Sequence, residues 1–383
     1  MNPPDISPDL LALSASLQKG IMTDIERKSG WISFADYMQQ VLYAPELGYY
    51  SGGLAKLGTG GDFVTAPELT DLYGRTLAKA LLPLLEQSGA CILELGAGTG
   101  KLAFDILMAL HDTDVHLEKY SILELSSELR QRQQEILTPF DNVEWLSTLP
   151  DRFEGVILAN EVLDAMPVHL VRKTGTGWHE VGVSIQDGRL AFSDRSCEKF
   201  LSDAIYRAIV DHENLPPGYM TEIHVHVHGF MKTLSEMMMR SDHAAAILID
   251  YGFPSREYYH PDRYTGTLMC HFRHRAHDDP FFLPGLQDVT THVDFTGVAQ
   301  AASDYGLDVI CYASQAPFLL AAGLPDLASG ESGESGSRYA GQLKAVQQLL
   351  SPAEMGELFK VMVLGHKIEP PAFMLDIDKS GRL

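Results

Sequence analysis

CILELGAGTG, Cys91 to Gly100, decides how the chain is read. It is an apolar run of strand length that breaks into three alternate glycines, before helical spacing resumes from Lys101 to about His111. A second run, YSILEL (Tyr120 to Leu125), follows, and then a helical stretch through Ile136. VEWL (Val143 to Leu146) is a short third strand and GVILAN (Gly155 to Asn160) a fourth. AAAILIDYG (Ala244 to Gly252) and FKVMVL (Phe359 to Leu364) have the same character. Short runs that are apolar throughout are strands covered on both faces, and their alternation with helices predicts a doubly wound, mostly parallel α/β sheet of Rossmann-like type.

Around this core the pattern differs. Leu10 to Arg27 has helical apolar spacing, and Ser33 opens a second short helix through Val41. Tyr43 to Thr65, YAPELGYYSGGLAKLGTGGDFVT, is too rich in glycine for a regular element and too aromatic for a solvated linker, so a packed covering loop is expected. Leu69 to Leu85 reads as an amphipathic helix ending before Gly89. The predicted organisation is an N-terminal helical extension with a covering loop over residues 1–75. A core over 76–383 follows, interrupted by β and loop insertions at about 168–243 and 251–300. In the first, Val168 to Phe192 alternates like antiparallel structure, with turns at Gly175–Gly177 and Asp187–Gly188. The second, from Tyr251 to Phe295, shows no clear period, and a loop of that length inside a fold is unusual unless functional. PDLASGESGESGSR, Pro325 to Arg338, is expected to be a surface loop.

Composition narrows the class. The 383 residues are 45% hydrophobic, with 29 basic and 51 acidic side chains, a formal charge of −22. Disorder needs fewer apolar residues. No run approaches the roughly 18 apolar residues of a membrane span. Nucleic-acid binding needs a basic field, which this charge opposes. A cationic partner suits it. The four cysteines contain no CxxC pair, which disfavours a disulfide framework or zinc ribbon and fits a reducing compartment. Without an N-terminal targeting pattern, a cytoplasmic location is expected.

The chemistry lies at the strand ends. Gly96, Gly98 and Gly100 in ELGAGTG, which begins at Glu94, let the main chain turn tightly against a ligand. A dinucleotide fingerprint would place its third glycine where Lys101 stands, so the spacing is GxGxG and no diphosphate cradle is required. S-adenosyl-L-methionine fits this spacing as cofactor. Glu124, at the carboxyl end of the second strand, is placed to accept hydrogen bonds from both ribose hydroxyls. In ILANEVLDAMP, Asn160 and Glu161 end the fourth strand, with Asp164 one turn on. Two carboxylates there suit a guanidinium, which is always charged and offers a fork of donors.

Several blocks together resemble the MidA family of methyltransferases: GDFVTAPEL (Gly61 to Leu69), ELGAGTGKLA (Glu94 to Ala103), ANEVLDAMPV (Ala159 to Val168), IDYG (Ile249 to Gly252), GTLMCHFRH (Gly266 to His274), DPFFLPGLQDVTTHVDF (Asp279 to Phe295) and MGELFKVM (Met355 to Met362). The family includes the mitochondrial arginine methyltransferase that assists assembly of respiratory complex I. The resemblance runs colinearly from about Ile21 to Met362 and implies a class I methyltransferase fold, with S-adenosyl-L-methionine as cofactor. It also implies a protein substrate methylated on arginine, in the mitochondrial member a complex I subunit. Carried over by position, Asp62, Phe63 and Thr65 belong to a loop that closes over the cofactor. Glu161, Asp164, His292 and Asp294 stand on the acceptor side, the Thr291-His292 pair resembling a loop of other protein arginine methyltransferases. The sequence departs from the family after Glu222, where IHVHVHGF replaces a segment beginning Ile-Asn-Pro, and it looks like a bacterial member.

Two alternatives accompany the enzymatic reading. One is an assembly factor that binds the cofactor and a client without transferring a methyl group. The other is a small-molecule methyltransferase, for which an acceptor pocket without carboxylates is expected. No metal is expected: His224, His226 and His228 would share one strand face, and Cys270, His271, His274 and His277 lack the spacing of a zinc site. Met237 to Met239 read as helix packing. A monomer and a homodimer both fit.

Overall fold

A computed structural model describes residues 6–52, 65–111, 113, 115–330 and 337–383, so Asp62 and Phe63 of the expected covering loop lie outside the described residues. Helix α1 (Pro8–Arg27) begins two residues before the predicted start. There Ser7 accepts the Leu10 N–H at 3.3 Å, and Pro8 occupies the first turn, where a missing N–H costs nothing. Strand β1 (Ile32–Ser33) leads into α2 (Phe34–Tyr43), capped as expected by the Ser33 hydroxyl on the Asp36 N–H at 3.0 Å. The short α3 (Ala66–Leu69) precedes α4 (Asp71–Ser88), which straddles residue 75 and packs on the main sheet through Leu72, Tyr73, Leu77 and Leu81.

The alternating core runs β2 (Cys91–Leu95), α5 (Lys101–His111), β3 (Lys119–Leu123), α6 (Ser127–Ile136), β4 (Val143–Leu146) and β5 (Gly155–Asn160). The first insertion adds β6 (His169–Thr174), β7 (Gly177–Gln186), β8 (Arg189–Ser196), α7 (Lys199–Ala208) and β9 (Met220–Ile223). Helix α8 (Val225–Met239) returns to the sheet at β10 (Ala244–Phe253). The second insertion comprises α9 (Ser255–Tyr258), β11 (Met269–Phe272), β12 (Arg275–His277) and β13 (Asp288–Thr290). It closes on β14 (Val293–Asp294), which extends the pairing of β10. The chain ends through α10 (Phe295–Asp304), β15 (Asp308–Ser314), α11 (Gln315–Ala321), α12 (Leu324–Gly330), α13 (Ser337–Leu350), β16 (Phe359–His366) and α14 (Ala372–Leu375).

The main sheet has the order β4-β3-β2-β5-β10-β16-β15. Pairing is parallel from β4 to β10, and β16 lies antiparallel between β10 and β15. The predicted mixed α/β, mostly parallel sheet is what forms. Period-two alternation feeds both of its faces. Ile92, Val156, Leu158, Ala245 and Ile247 enter the core under α4 and α5, whereas Leu93, Ile157, Ala159, Ala246 and Leu248 enter the one under α8 and α10. The strand order reverses between β2 and β5, and the ligand crevice of an open parallel sheet opens at such a switch point.

The N-terminal extension and the first insertion form a common layer. β1 pairs with β7 in the antiparallel order β1-β7-β6-β9, and Ile21, Ile25, Tyr37 and Met38 share a core with Leu170, Val181 and Val183. The second insertion contains a three-stranded sheet, β12-β11-β13, whose strands are too short to show a period in sequence. The Tyr37 hydroxyl ties this insertion to α2 by donating to the Pro280 carbonyl at 2.6 Å.

Two expectations are corrected. His224, His226 and His228 do not lie on a strand. His224 caps α8, and residues two apart in a helix point to different sides, so the three share no face. The pattern that wins is Val227, Met231, Leu234 and Met238, all buried at spacings of four, three and four. Pro325 to Gly330 is helix α12 rather than loop, held by Leu324, Leu327 and Ala328 on the main core, while 331–336 lie outside the described residues.

Gly155 opens β5 with φ +139°, and a Cβ there would stand 2.2 Å from the Cys91 carbonyl oxygen. Gly155→Ala is therefore expected to cost about 3 kcal/mol or more, through strain and separation of β5 from β2. Urea unfolding measures it, and a loss below about 1 kcal/mol would contradict this account of the strand start.

Candidate active site

At the switch point, β2 carries an acid next to its last residue, β3 and β5 are each followed by one, and all three strands open on a cavity of about 340 Å³. After β2 the main chain turns with φ of +66°, +54° and +86° at Gly96, Gly98 and Gly100. The Gly96 N–H bonds to the Leu123 carbonyl at 3.0 Å, which fastens the turn to β3. A Cβ on Gly100 would stand 2.8 Å from Ile136 Cγ2, so a side chain there would push α6 away. Gly96, Ala97, Gly98 and Thr99 line the cavity with main chain, whereas Gly100 shapes the turn from behind.

Four carboxylates line the same space. Glu94 is buried, accepts the Tyr120 hydroxyl at 2.8 Å, and is pushed up to about 8 by burial. Glu124, directly after β3, is raised by burial, although it accepts the Ser126 N–H and the Gln133 amide, each at 2.9 Å. Glu68 accepts the Thr99 hydroxyl, linking α3 to the glycine turn. Glu161, directly after β5, has φ +54°, a left-handed conformation that a glutamate rarely adopts. Its N–H bonds to the Ile249 carbonyl at 2.8 Å. Its Oε1 accepts the Asn160 amide at 3.2 Å, while Asn160 Oδ1 accepts the Tyr73 hydroxyl at 2.7 Å. Burial, reinforced by Asp164, raises Glu161 to about 8.

Of the residues singled out in sequence, Thr65, Glu94, Gly96, Gly98, Glu124, Asn160 and Glu161 thus meet at one cavity. Asp164 stands behind its wall, raised by burial, with Oδ2 accepting the Tyr251 hydroxyl at 2.6 Å and Oδ1 buried without a partner. His292 is a layer further out. Its ring stacks on Phe253 at 5.1 Å and meets Tyr251 edge-on at 5.1 Å, and burial lowers it to about 4, leaving a neutral imidazole. Asp294 sits apart from the cavity. It caps α10, accepting the Gly297 N–H at 3.2 Å and the Ser255 hydroxyl at 2.7 Å.

Other lining and supporting residues carry no sequence signal of their own. Gln133 is the buried residue of an otherwise polar α6. Besides holding Glu124, it donates to the Gly98 carbonyl at 2.8 Å and accepts the Trp145 indole N–H at 3.0 Å. Tyr43 and Tyr50, stacked at 5.6 Å, wall the cavity, and the Tyr43 hydroxyl donates to the Ala165 carbonyl at 3.0 Å.

The donor set tests the cofactor. The described lining contains Glu68, Glu94, Glu124 and Glu161 and no lysine, arginine or histidine. A diphosphate would meet four acids and no cationic side chain among the described lining residues. A sulfonium and an ammonium group meet attraction, and Glu124 is placed for a ribose, so S-adenosyl-L-methionine fits. Among the described residues no group of three His, Cys, Asp or Glu side chains is arranged to hold a metal ion, and no helix is long and apolar enough to cross a membrane.

The raised acids make stability depend on pH. In the unfolded chain Glu94 and Glu161 ionise near 4.5, and in the folded protein near 8. Between those values the folded state holds more protons, so this stabilisation is complete below the lower value and is lost as pH rises through the upper one. Denaturant unfolding of ligand-free protein across that window is expected to show falling stability. Glu161→Gln, which removes one of the two titrations, should flatten the slope, and an identical slope in the variant would contradict the assignment.

Residues 76–313 match the family described as "putative S-adenosyl-L-methionine-dependent methyltransferase". A protein of Burkholderia thailandensis crystallised with S-adenosyl-homocysteine is similar over the whole chain, with 46% identity, TM-score 0.93, and coverage of 99% of this chain and 100% of that one. The mitochondrial protein arginine methyltransferase NDUFAF7 of Danio rerio is 29% identical over 91% of this chain and 87% of its own length. That of Homo sapiens is 28% identical over 88% and 81%. The glycine turn, the acids at the strand ends and a match across most of the chain have one conclusion: this protein belongs to the family of S-adenosyl-L-methionine-dependent methyltransferases.

Proposed function

We propose that the chain methylates an arginine side chain of a protein substrate, with a subunit of respiratory complex I as the client. The observation that carries this reading is Glu161, a half-buried carboxylate on the cavity wall with no cationic partner among the described lining residues. The names borne by the NDUFAF7 relatives support it. A neutral small-molecule acceptor would leave this acid unanswered, which costs free energy unless a cation compensates it.

When bound, S-adenosyl-L-methionine supplies a methyl group activated by its sulfonium sulfur. The residues of the chain do the rest by placement. Gly96 to Thr99 and Glu124 hold the cofactor at the carboxyl edge of β2 and β3. Tyr43 and Tyr50 close the acceptor side against water. Glu161 accepts guanidinium N–H bonds and so fixes the plane of the group with one nitrogen toward the methyl carbon. The incoming cation draws Glu161 into its ionised form, and its carboxylate then takes up the proton that the guanidinium loses. A carboxyl held near 8 is suited to that exchange at neutral pH. The four unbridged cysteines accord with a reducing compartment, and the cytoplasm is part of the same proposal.

Glu161→Gln keeps the size of the side chain and its contact with Asn160 while removing the charge. Affinity for S-adenosyl-homocysteine by calorimetry is expected to hold within about 3-fold, and methyl transfer to fall by about 10² to 10³-fold. Mass spectrometry of complex I subunits from cells with and without the gene should find an arginine methylated only in its presence. Full turnover in the variant, or labelled methyl groups recovered solely in small molecules, would overturn the reading.

A further inference from the structure

Strand β10 runs past the end of β5, and this overrun places two side chains against the acceptor loop. In the parallel register Ile249 stands opposite Asn160, so Asp250 lies beside Glu161 where β5 stops. Asp250 is completely buried. Lys360, its neighbour across β16, turns its ammonium to Glu357, so the partners of Asp250 are main-chain donors. Its Oδ2 accepts the consecutive N–H groups of Val162 at 3.1 Å, Leu163 at 2.9 Å and Asp164 at 3.2 Å, and Oδ1 accepts the Tyr251 N–H at 2.9 Å. Converging N–H groups form a concave anion site, and here a strand of the same chain fills it. The next residue acts on the same loop from its other end, because the Tyr251 hydroxyl donates to Asp164 Oδ2. Glu161, one residue before these anchors and itself tied through its N–H to the Ile249 carbonyl, keeps a left-handed conformation that a free loop would not hold.

We propose that Asp250 and Tyr251 are the positioning residues of the methyl-acceptor site. Asp250 fixes the backbone of the loop from Glu161 to Asp164, Tyr251 fixes the Asp164 carboxylate, and together they present Glu161 to the acceptor; this rests on the reading of Glu161 as the acceptor carboxylate. Neither residue is among the described residues that line the cavity, so both act on it through the loop. A carboxylate suits the role at Asp250 because both of its oxygens accept. An asparagine would turn an NH₂ group toward donors on one side.

Hydrogen exchange, calorimetry and steady-state kinetics on the full chain separate this role from simple support of the fold. In the unaltered protein the amides of Val162, Leu163 and Asp164 should exchange slowly, although they lie in no regular element. In Asp250→Asn their exchange is expected to rise by about 100-fold or more while β2 and β5 stay protected. Tyr251→Phe, which loses a single hydroxyl, should bind S-adenosyl-homocysteine within about 2-fold of the parent and keep its KM for the cofactor, with kcat down about 10-fold. A purely structural role would instead lower cofactor affinity and kcat together. Solvent-rate exchange of the three amides in the unaltered protein, unchanged exchange in Asp250→Asn, or unchanged kcat in Tyr251→Phe would each overturn the proposal, and the first and third need no fold-sensitive variant. If exchange behaves as expected while no arginine-bearing protein accepts a methyl group, the acceptor assignment fails and the positioning role stands.

Discussion

Three neighbouring parallel strands, β2, β3 and β5, carry Glu94, Glu124 and Glu161 at or just beyond their carboxyl ends, and no cation among the described lining residues answers them. Everything else at the site follows from that concentration of buried acid. Isolated carboxylates in a low-dielectric cavity are costly when charged, so they survive either as neutral acids or beside a cation. The raised values at Glu94 and Glu161 are the first solution. Sulfonium, ammonium and guanidinium groups are the second. The switch-point topology is what forces the acids together, because it brings the carboxyl ends of strands distant in sequence to one edge.

Holding these acids without neutralising them requires donors that carry no charge. Gln133 does this for Glu124 and for the glycine turn at once, and its carbonyl is satisfied by Trp145. Asn160 does it for Glu161, itself held by the Tyr73 hydroxyl. Tyr120 does it for Glu94. Amides and phenols fix orientation yet leave the negative potential available to a ligand, whereas a lysine or arginine in any of these places would cancel it.

The sheet was legible because its strands are buried on both faces, and continuous apolar runs such as GVILAN admit few other readings. The cofactor edge was legible because a glycine turn and terminal acids sit beside those strands in sequence. Side chains that reach the site from afar were not. Gln133 looks like one more polar residue on a polar helix, and only the fold reveals that it is the buried one. The helix at Val225 was hidden by a His-Val alternation that mimics a strand, because the apolar residues deciding the matter begin further on. The family resemblance put Asp294 on the acceptor side, but a short polar residue just before a helix is also the usual cap, and capping α10 is its place here.

The charge state of the ligand-free cavity sets how the two substrates are coupled. Because burial holds Glu94 and Glu161 near 8, a cation that draws either acid into its charged form releases a proton, so cation binding in this cavity is coupled to proton release. Such exchange selects against neutral isosteres, because a ligand without charge gains nothing from displacing the proton. It also favours release after transfer. S-adenosyl-homocysteine lacks the sulfonium charge, so the acids of the cavity attract it less than they attract the cofactor.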